Sequence, residues 1–444
     1  MNGENKYLQY LKAVAKPFKK LTKLEFLQPD NSVAFTLGNI HAARGYMTKY
    51  DTRAFIQGGT LNVASNNGQR RNVTVSLSNL DKAFEYAINK IWFGQKLRLS
   101  MGLVLPDGTD FYLPQGVFYI KNPQNIYQPG NKQVTFPLVD KWAMLDGTLG
   151  GKLTNTFKIS SKDENGLRVK VFTAMRSLLR LSKYNQLETD DLMQMIDNVL
   201  PVFTNYYEGK EYDYKQSDGS ILENISVTDL PYDIVENVGG TIANLILALN
   251  KTFVGICGYN ATGAFQVDPS QEDITDNEKA VLWDFSTDNK MFGGFTETIK
   301  NTEVYNDVLI TGEGMGGGEV WGRATNFDPR SETNVYMVGL KTFYENRAEY
   351  WNATQCADLA EWYLKRKSVL QKSITITCSQ MFHLIENNLI TIRRMDKEGA
   401  PVERHLINSF SIPLSETGAM TINATSVNDF PIATKKQYSS QETT

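Results

Sequence analysis

The chain has 444 residues, of which 41% are hydrophobic and 21% charged, the make-up of a globular protein long enough for several domains with sizeable cores. Its formal net charge of -3 leaves no basic surplus of the kind that neutralises phosphates, so nucleic-acid binding is disfavoured as the main task. No run approaches the ~20 apolar residues that span a bilayer, and the start lacks an apolar signal region with a cleavage site, so synthesis in the cytoplasm is expected.

Residues 1–23 read as a basic helical arm. Lys6, Lys12, Lys16, Lys19, Lys20 and Lys23 interleave with Tyr7, Leu8, Leu11, Val14 and Phe18 at roughly helical spacing, interrupted near Pro17. Its apolar face is short, which favours a solvated or partner-docked helix over a membrane anchor. From residue 24 to 150 short alternating runs such as Ser32–Leu37 and Val73–Leu77, with a turn signal at Pro106–Thr109, predict an antiparallel β domain. One helix is expected within it, from Leu80 to Ile91.

Beyond Gly150 and Gly151 the apolar period becomes helical, with Leu167, Val171, Met175, Leu178 and Leu179 on one face. Residues 151–292 therefore read as a mixed helical insert, with further helices at Asp190–Leu200 and Gly240–Lys251 and a loop or exposed hairpin over Tyr206–Ser220. Strands return for residues 293–433, interrupted by a helix at 352–367. Asn352 is its expected cap, Gln355 stands at the capping-box position, and Cys356, Leu359, Ala360, Tyr363 and Leu364 form its apolar face. Four runs follow, Ser373–Cys378, Leu389–Arg393, Arg404–Pro413 and Ala419–Thr425, read as a small barrel or sandwich with the helix packed against it. Residues 434–444 read as a flexible tail. The fold class is thus mainly β with an α+β insert.

Chemistry is hard to find. His41, His383 and His405 stand in no zinc-binding frame, and Cys378 with His383 lacks a second pair of ligands. Cys257, Cys356 and Cys378 are too scattered for a disulfide framework and read as small core residues. Sequons at Asn72, Asn250, Asn260 and Asn352 carry no glycosylation meaning without a secretion signal. The glycine run with Gly312, Gly314, Gly316, Gly317 and Gly318 lacks the lysine and the helix of a phosphate loop, and reads as a flexible loop between strands that could serve an interface. Acids at Asp163–Gly166 and Asp284–Asp288 read as turns, and Glu345 with Glu349 as a solvated charged surface. No catalytic, cofactor or metal residues are expected. Tyr206, Tyr207, Tyr212 and Tyr214 could stack on sugars, which keeps a host-surface carbohydrate-binding protein as the alternative function; a peptidoglycan hydrolase is a weaker rival, lacking His and carboxylate frames.

The order of certain segments carries a resemblance. Gly59–Val63, Arg70–Asn79, Ile91–Leu99 and Leu113–Ile120 are similar to the opening barrel of phage tail-tip and baseplate hub proteins, the late control protein D-like family. Asn334–Gly339, the 352–367 helix, Ile374–Cys378 and Leu389–Ile392 resemble its second barrel, with Glu386-Asn387-Asn388 in place of a Gly-Asp turn. The resemblance implies a non-enzymatic structural protein with two tube-type antiparallel β-barrel domains, 24–150 and 293–433, around the mixed helical domain. It implies a homotrimer in the virion tail tip, assembled in the host cytoplasm. The implied partners are a tail tube or distal tail protein, a tip spike or receptor-binding proteins, a separate lysin, and phage DNA passing through the lumen, whose wall is expected to be acidic or neutral.

Overall fold

The computed structural model describes residues 5–28, 31–39, 56–78, 95–128, 131–181, 201–205, 208–215, 220–252, 255–269, 280–286, 292–300, 304–313, 318–347, 352–368, 371–393, 402–415, 417–427 and 434–439. The expected helices at Leu80–Ile91 and Asp190–Leu200 lie outside these residues.

Helix α1 (Lys6–Val14) is followed by β1 (Lys20–Leu27), β2 (Val33–Gly38), β3 (Ile56–Ala64), β4 (Arg71–Ser78), β5 (Lys96–Val104), β6 (Asp110–Ile120), β7 (Gln124–Gln128) and β8 (Asn131–Asp140). The insert carries β9 (Phe157–Ile159), α2 (Val171–Leu181), β10 (Val202–Phe203), β11 (Glu211–Lys215), β12 (Ile221–Ser226), β13 (Ile234–Glu236), α3 (Ile242–Lys251), β14 (Gly255–Tyr259) and β15 (Phe265–Pro269). Then come β16 (Val281–Asp284), β17 (Phe292–Lys300), β18 (Asp307–Glu313), β19 (Glu319–Asn326), α4 (Val335–Val338), β20 (Thr342–Asn346) and α5 (Ala353–Lys367). The described chain closes with β21 (Gln371–Cys378), β22 (Leu389–Arg393), β23 (Val402–Pro413), β24 (Met420–Ser426) and β25 (Thr434–Tyr438).

The two β regions, expected as separate domains, share one 14-stranded sheet in the order β17-β21-β24-β23-β3-β4-β8-β6-β5-β1-β2, with β7, β16 and β22 branching from it. The join is an antiparallel ladder between β23 and β3, in which Ser409, Phe410, Ser411, Ile412 and Pro413 face Ala64, Val63, Asn62, Leu61 and Thr60. Alternation explains the layer beneath. Leu61, Val63, Val73, Val75 and Leu77 from the first region and Ile374, Ile376, Phe410, Ile412 and Ile422 from the second bury into a single core. Val281–Asp284, which sequence assigned to the insert, runs parallel to β22 and so joins the main sheet.

Helix α1 enters the same core. Tyr10, Ala13 and Val14 are buried, and Asn5 caps it by accepting from Tyr7 N at 3.0 Å. The chain is already a strand at Lys20, so the lysine run expected to continue the helix ends on β1, where Lys20 Nζ donates to Ser415 O at 3.0 Å. The insert has its own core, built by α2 and α3 around Val171, Met175, Leu178, Leu245, Ile246 and Leu249.

Helix α5 is capped as expected, with Asn352 Oδ1 accepting from Gln355 N at 2.7 Å. Its partner differs from the expectation. It packs not on β21–β24 but on a separate four-stranded sheet, β20-β18-β19-β25, through Cys356, Ala360 and Leu364 against Val308, Ile310 and Ala324. The physical reason is the backbone of β19, where a Cβ on Gly322 would lie 2.1 Å from Ala357 N; only glycine admits the helix so closely. Gly322→Ala should therefore lift α5 and destabilise this sheet by about 1–3 kcal/mol, read as faster amide exchange in residues 353–367 with the exchange of β3 and β23 unchanged.

Candidate functional site

The functional candidate is the outer face of the joined sheet. Alternation that sends the apolar side chains inward sends the intervening residues outward, and most of those are Ser, Thr or Asn. On β17 they are Thr296 and Thr298, on β21 Ser373, Thr375 and Thr377, on β24 Thr421, Asn423 and Thr425. Ser409 and Ser411 continue the row on β23, Thr60 and Asn62 on β3, Asn72, Thr74 and Ser76 on β4, and Thr135 on β8. None of these sixteen carries a charge. Their hydrogen bonds run laterally, Asn62 Nδ2 to Asn72 Oδ1 at 3.0 Å, Asn423 Nδ2 to Ser409 Oγ at 3.1 Å and Thr375 Oγ1 to Asn423 Oδ1 at 2.8 Å, tying neighbouring strands on the surface.

Farther along the sheet the character changes. On β1 and β5 the outward residues are ionic, with Glu25 between Lys23 at 2.8 Å and Arg98 at 2.6 Å; these two partners hold the Glu25 carboxyl below its ordinary range although burial opposes them. The uncharged face spans the join between the regions and stops where ion pairs begin. A concavity of about 470 Å³ lies within it, lined by Asn62, Asn66, Gln69, Asn72, Ser409, Ser411 and Asn423 and, as its one charged residue, by the nearly buried Arg70.

Beneath the join lie charges that must be paired. Arg71, fully buried, donates from Nη2 to Glu386 Oε2 at 2.6 Å and from Nη1 to Gln115 O at 3.2 Å. Gln115 Nε2 donates in turn to Phe382 O at 2.8 Å. Beside them the buried Asp140 carboxylate accepts from Arg70 N, Arg71 N and Trp142 N at 2.8, 2.9 and 3.1 Å. Burial pushes its pKa up to about 6 against those donors. Helix α1 is pinned here too: Phe382 N donates to Tyr10 Oη at 2.9 Å, and that hydroxyl lies 3.0 Å from His383 Nδ1. Burial lowers the His383 pKa to about 4.

The insert docks beside the face without covering it. Asn67 Oδ1 accepts from Cys257 N and Gly68 N donates to Cys257 O, both at 2.8 Å. Arg70 reaches Asp268 at 3.6 Å.

Comparison with solved structures gives this arrangement its context. The tail protein from Neisseria meningitidis MC58 superposes with a TM-score of 0.54 at 10% identity, covering 93% of this chain and 97% of its own. The 43 kDa tail protein of prophage MuSo2 from Shewanella oneidensis gives 0.51 at 10% identity, over 92% and 97%. The fold is that of phage tail proteins. Such coverage takes in the insert as well as the sheet, so the insert is part of the tail-protein fold even though its sequence resembles nothing recognisable. No protein-family model matches the sequence, and no curated protein matches it.

Within this tail-protein fold the residues singled out by sequence are scattered. Gly312 lies on β18 and Gly318 just before β19, so the glycine run joins two antiparallel strands; Gly314, Gly316 and Gly317 lie outside the described residues. Tyr206 and Tyr207 also lie outside them, while the backbones of Tyr212 and Tyr214 belong to the β11–β12 hairpin. Asp163 Oδ1 accepts from Asn165 N and Leu167 N, and Asp284 Oδ1 from Ser286 N and Thr391 Oγ1, which is turn and loop chemistry. Glu345 pairs with Arg347 at 2.7 Å, and Glu349 is outside the described residues. The three cysteines are free and buried, and burial pushes the Cys378 thiol up to about 12. Among the described residues no group of three His, Cys, Asp or Glu side chains is placed to hold a metal. The uncharged face was missed, though its signal was present: in Ser373–Cys378 and Asn72–Leu77 every outward position is Ser, Thr or Asn.

Two expected outcomes follow from the buried groups. Glu386→Ala, which strands the Arg71 charge, should cost about 3–5 kcal/mol in urea unfolding, whereas Arg71→Met with Glu386→Leu should recover most of it. His383 is held neutral, so its contribution is complete above its ordinary pKa of 6.5 and is lost as pH falls through about 4. The stability advantage of the wild type over His383→Gln should therefore shrink by about 3 kcal/mol between pH 7 and pH 4.

Proposed function

We propose that this chain is the hub of a phage tail tip or baseplate, a structural protein that joins the tail tube to the tip spike or fibres and contributes the wall of the DNA exit channel. The observation that carries the reading is the uncharged hydroxyl and amide face running across both β regions, on a chain with the fold of phage tail proteins. A channel wall for DNA must not retain it. Lysine or arginine there would bind phosphate through counterion release, with affinity growing for every phosphate neutralised. Serine, threonine and asparagine offer only neutral hydrogen bonds, which water replaces at little net cost.

In this reading the two halves of the joined sheet, β1–β8 on one side and β16, β17 and β21–β24 on the other, supply the two tube-type units of each chain. Three chains close a ring with the Asn62–Asn423 face turned inward, so that pseudo-sixfold symmetry meets a hexameric tube above and threefold symmetry meets the tip below. The hub acts by assembly and catalyses nothing. Electron microscopy of the purified protein should show a threefold ring with this face lining the hole. The triple variant Asn62→Lys, Thr74→Lys, Asn423→Lys should retain duplex DNA on filters at low salt, with affinity that falls steeply as salt rises, while the wild type retains none. A protein that stays monomeric at high concentration, or a ring with Asn62 and Asn423 on its outer rim, would sink the proposal.

A further inference from the structure

The sheet β20-β18-β19-β25 has two terminal strands, and they are built differently. On β25 Lys435 and Lys436 are exposed, and Lys436 Nζ binds Glu361 and Asp358 on α5; lysines of this kind blunt a strand edge against further pairing. On β20 the sequence Thr342-Phe343-Tyr344-Glu345-Asn346 holds neither lysine nor proline. It pairs in parallel with β18, and the ladder ends where Lys341 O accepts from Asp307 N at 3.2 Å and Arg347 N donates to Thr311 O at 2.7 Å. Alternation along a parallel ladder commits the odd-numbered residues to β18 and turns the N–H and C=O groups of Thr342, Tyr344 and Asn346 the other way. Among the described residues no strand pairs with that side.

The segment leading into β20 holds apolar side chains in solvent. Tyr336 is 82% exposed, Met337 73%, and Leu340 and Tyr344 57% each. The backbone that carries them is fixed. Asn334 Oδ1 accepts from Tyr336 N and Met337 N, both at 3.0 Å. Asn306, fully buried, donates to Thr333 O at 3.0 Å and Gly339 O at 2.7 Å and accepts from Lys341 N at 2.8 Å, so one amide clamps both ends of the projection. A surface ordered in advance loses little entropy on binding. Tyr336, Met337, Leu340 and Tyr344 together expose roughly 600 Å² of total surface, polar atoms included, against roughly 800 Å² per partner in a standard interface.

We propose that the Val335–Leu340 projection and the open side of β20 form a strand-addition site for an extended segment of a partner protein. Its backbone pairs with Thr342, Tyr344 and Asn346, and its alternate apolar side chains rest on Tyr336, Met337 and Leu340. A second copy of this chain fits less well. Twofold pairing of β20 with itself would set each projection beside the partner's Asn346 end and leave the apolar side chains uncovered, and pairing with β25 would meet the lysines. The site stands independently of the ring, since it needs only this edge.

The test uses the full chain and a fluorescein-labelled nine-residue peptide alternating valine and threonine, followed by anisotropy. Saturable binding is expected, weakened at least about tenfold, or 1.4 kcal/mol, by Tyr344→Pro, which removes one outward N–H, and similarly by Tyr336→Ser with Met337→Ser. The serine variant changes only exposed side chains and should melt as the wild type does, so loss of binding there separates docking from misfolding. Absence of saturable binding, or equal binding by wild type and the serine variant, would overturn the site. So would an oligomer that Tyr344→Pro dissociates in sedimentation, because the edge would then belong to a second copy.

Discussion

The ladder between β3 and β23 is the constraint from which the rest of the molecule follows. It makes one sheet from strands that the chain lays down at its two ends, and one core from the side chains beneath. The outward residues of both regions thereby share a face, and that face acquires a single character across the seam. Had the regions stayed separate open sheets, β3 and β23 would each present an unpaired strand edge.

Close beneath this seam the protein keeps groups that are costly to bury. Arg71 and Glu386 come from opposite sides of the ladder and neutralise each other; Asp140 instead takes three backbone donors. A buried pair of this kind adds little net stability over an apolar substitute, but it discriminates sharply, because a slipped register would leave two charges without partners. The uncharged surface above and the paired charges below are complementary. Ionic groups are used where they fix the alignment of the sheet, and in the concavity of the face above them the charged residue, Arg70, is turned to Asp268.

Much of the local structure was legible because it depends on neighbours in sequence. Val73–Leu77, Ser373–Cys378 and Leu389–Arg393 alternate and are strands, and Asn352 with Gln355 marks the start of α5. What sequence could not supply was the partner of each element. The apolar stripe of α5 fits any apolar sheet, and only the missing Cβ of Gly322 selects β19. Likewise the alternation in Gly59–Val63 predicts a strand and its buried face but is silent about which edge pairs with β23. The lysines ahead of β1 suggested a solvated or partner-docked helix, and Tyr10 and Val14, two residues of that same stretch, dock it on the core of its own chain. The candidate face was readable in principle, by attending to the polar half of each alternating run.

The pairing of Thr60 with Pro413 also imposes an order of events during synthesis. As the polypeptide leaves the ribosome, β3 and β4 can form early, but the free side of β3 has no native neighbour until nearly the whole chain has emerged. Tyr10 waits similarly for His383. Non-local closure of this kind is slow, and a waiting edge is exposed to aggregation. The same delay acts as a checkpoint on translation: a product that ends before β23 lacks the joined face, and one that ends before Glu386 also leaves Arg71 without its mate.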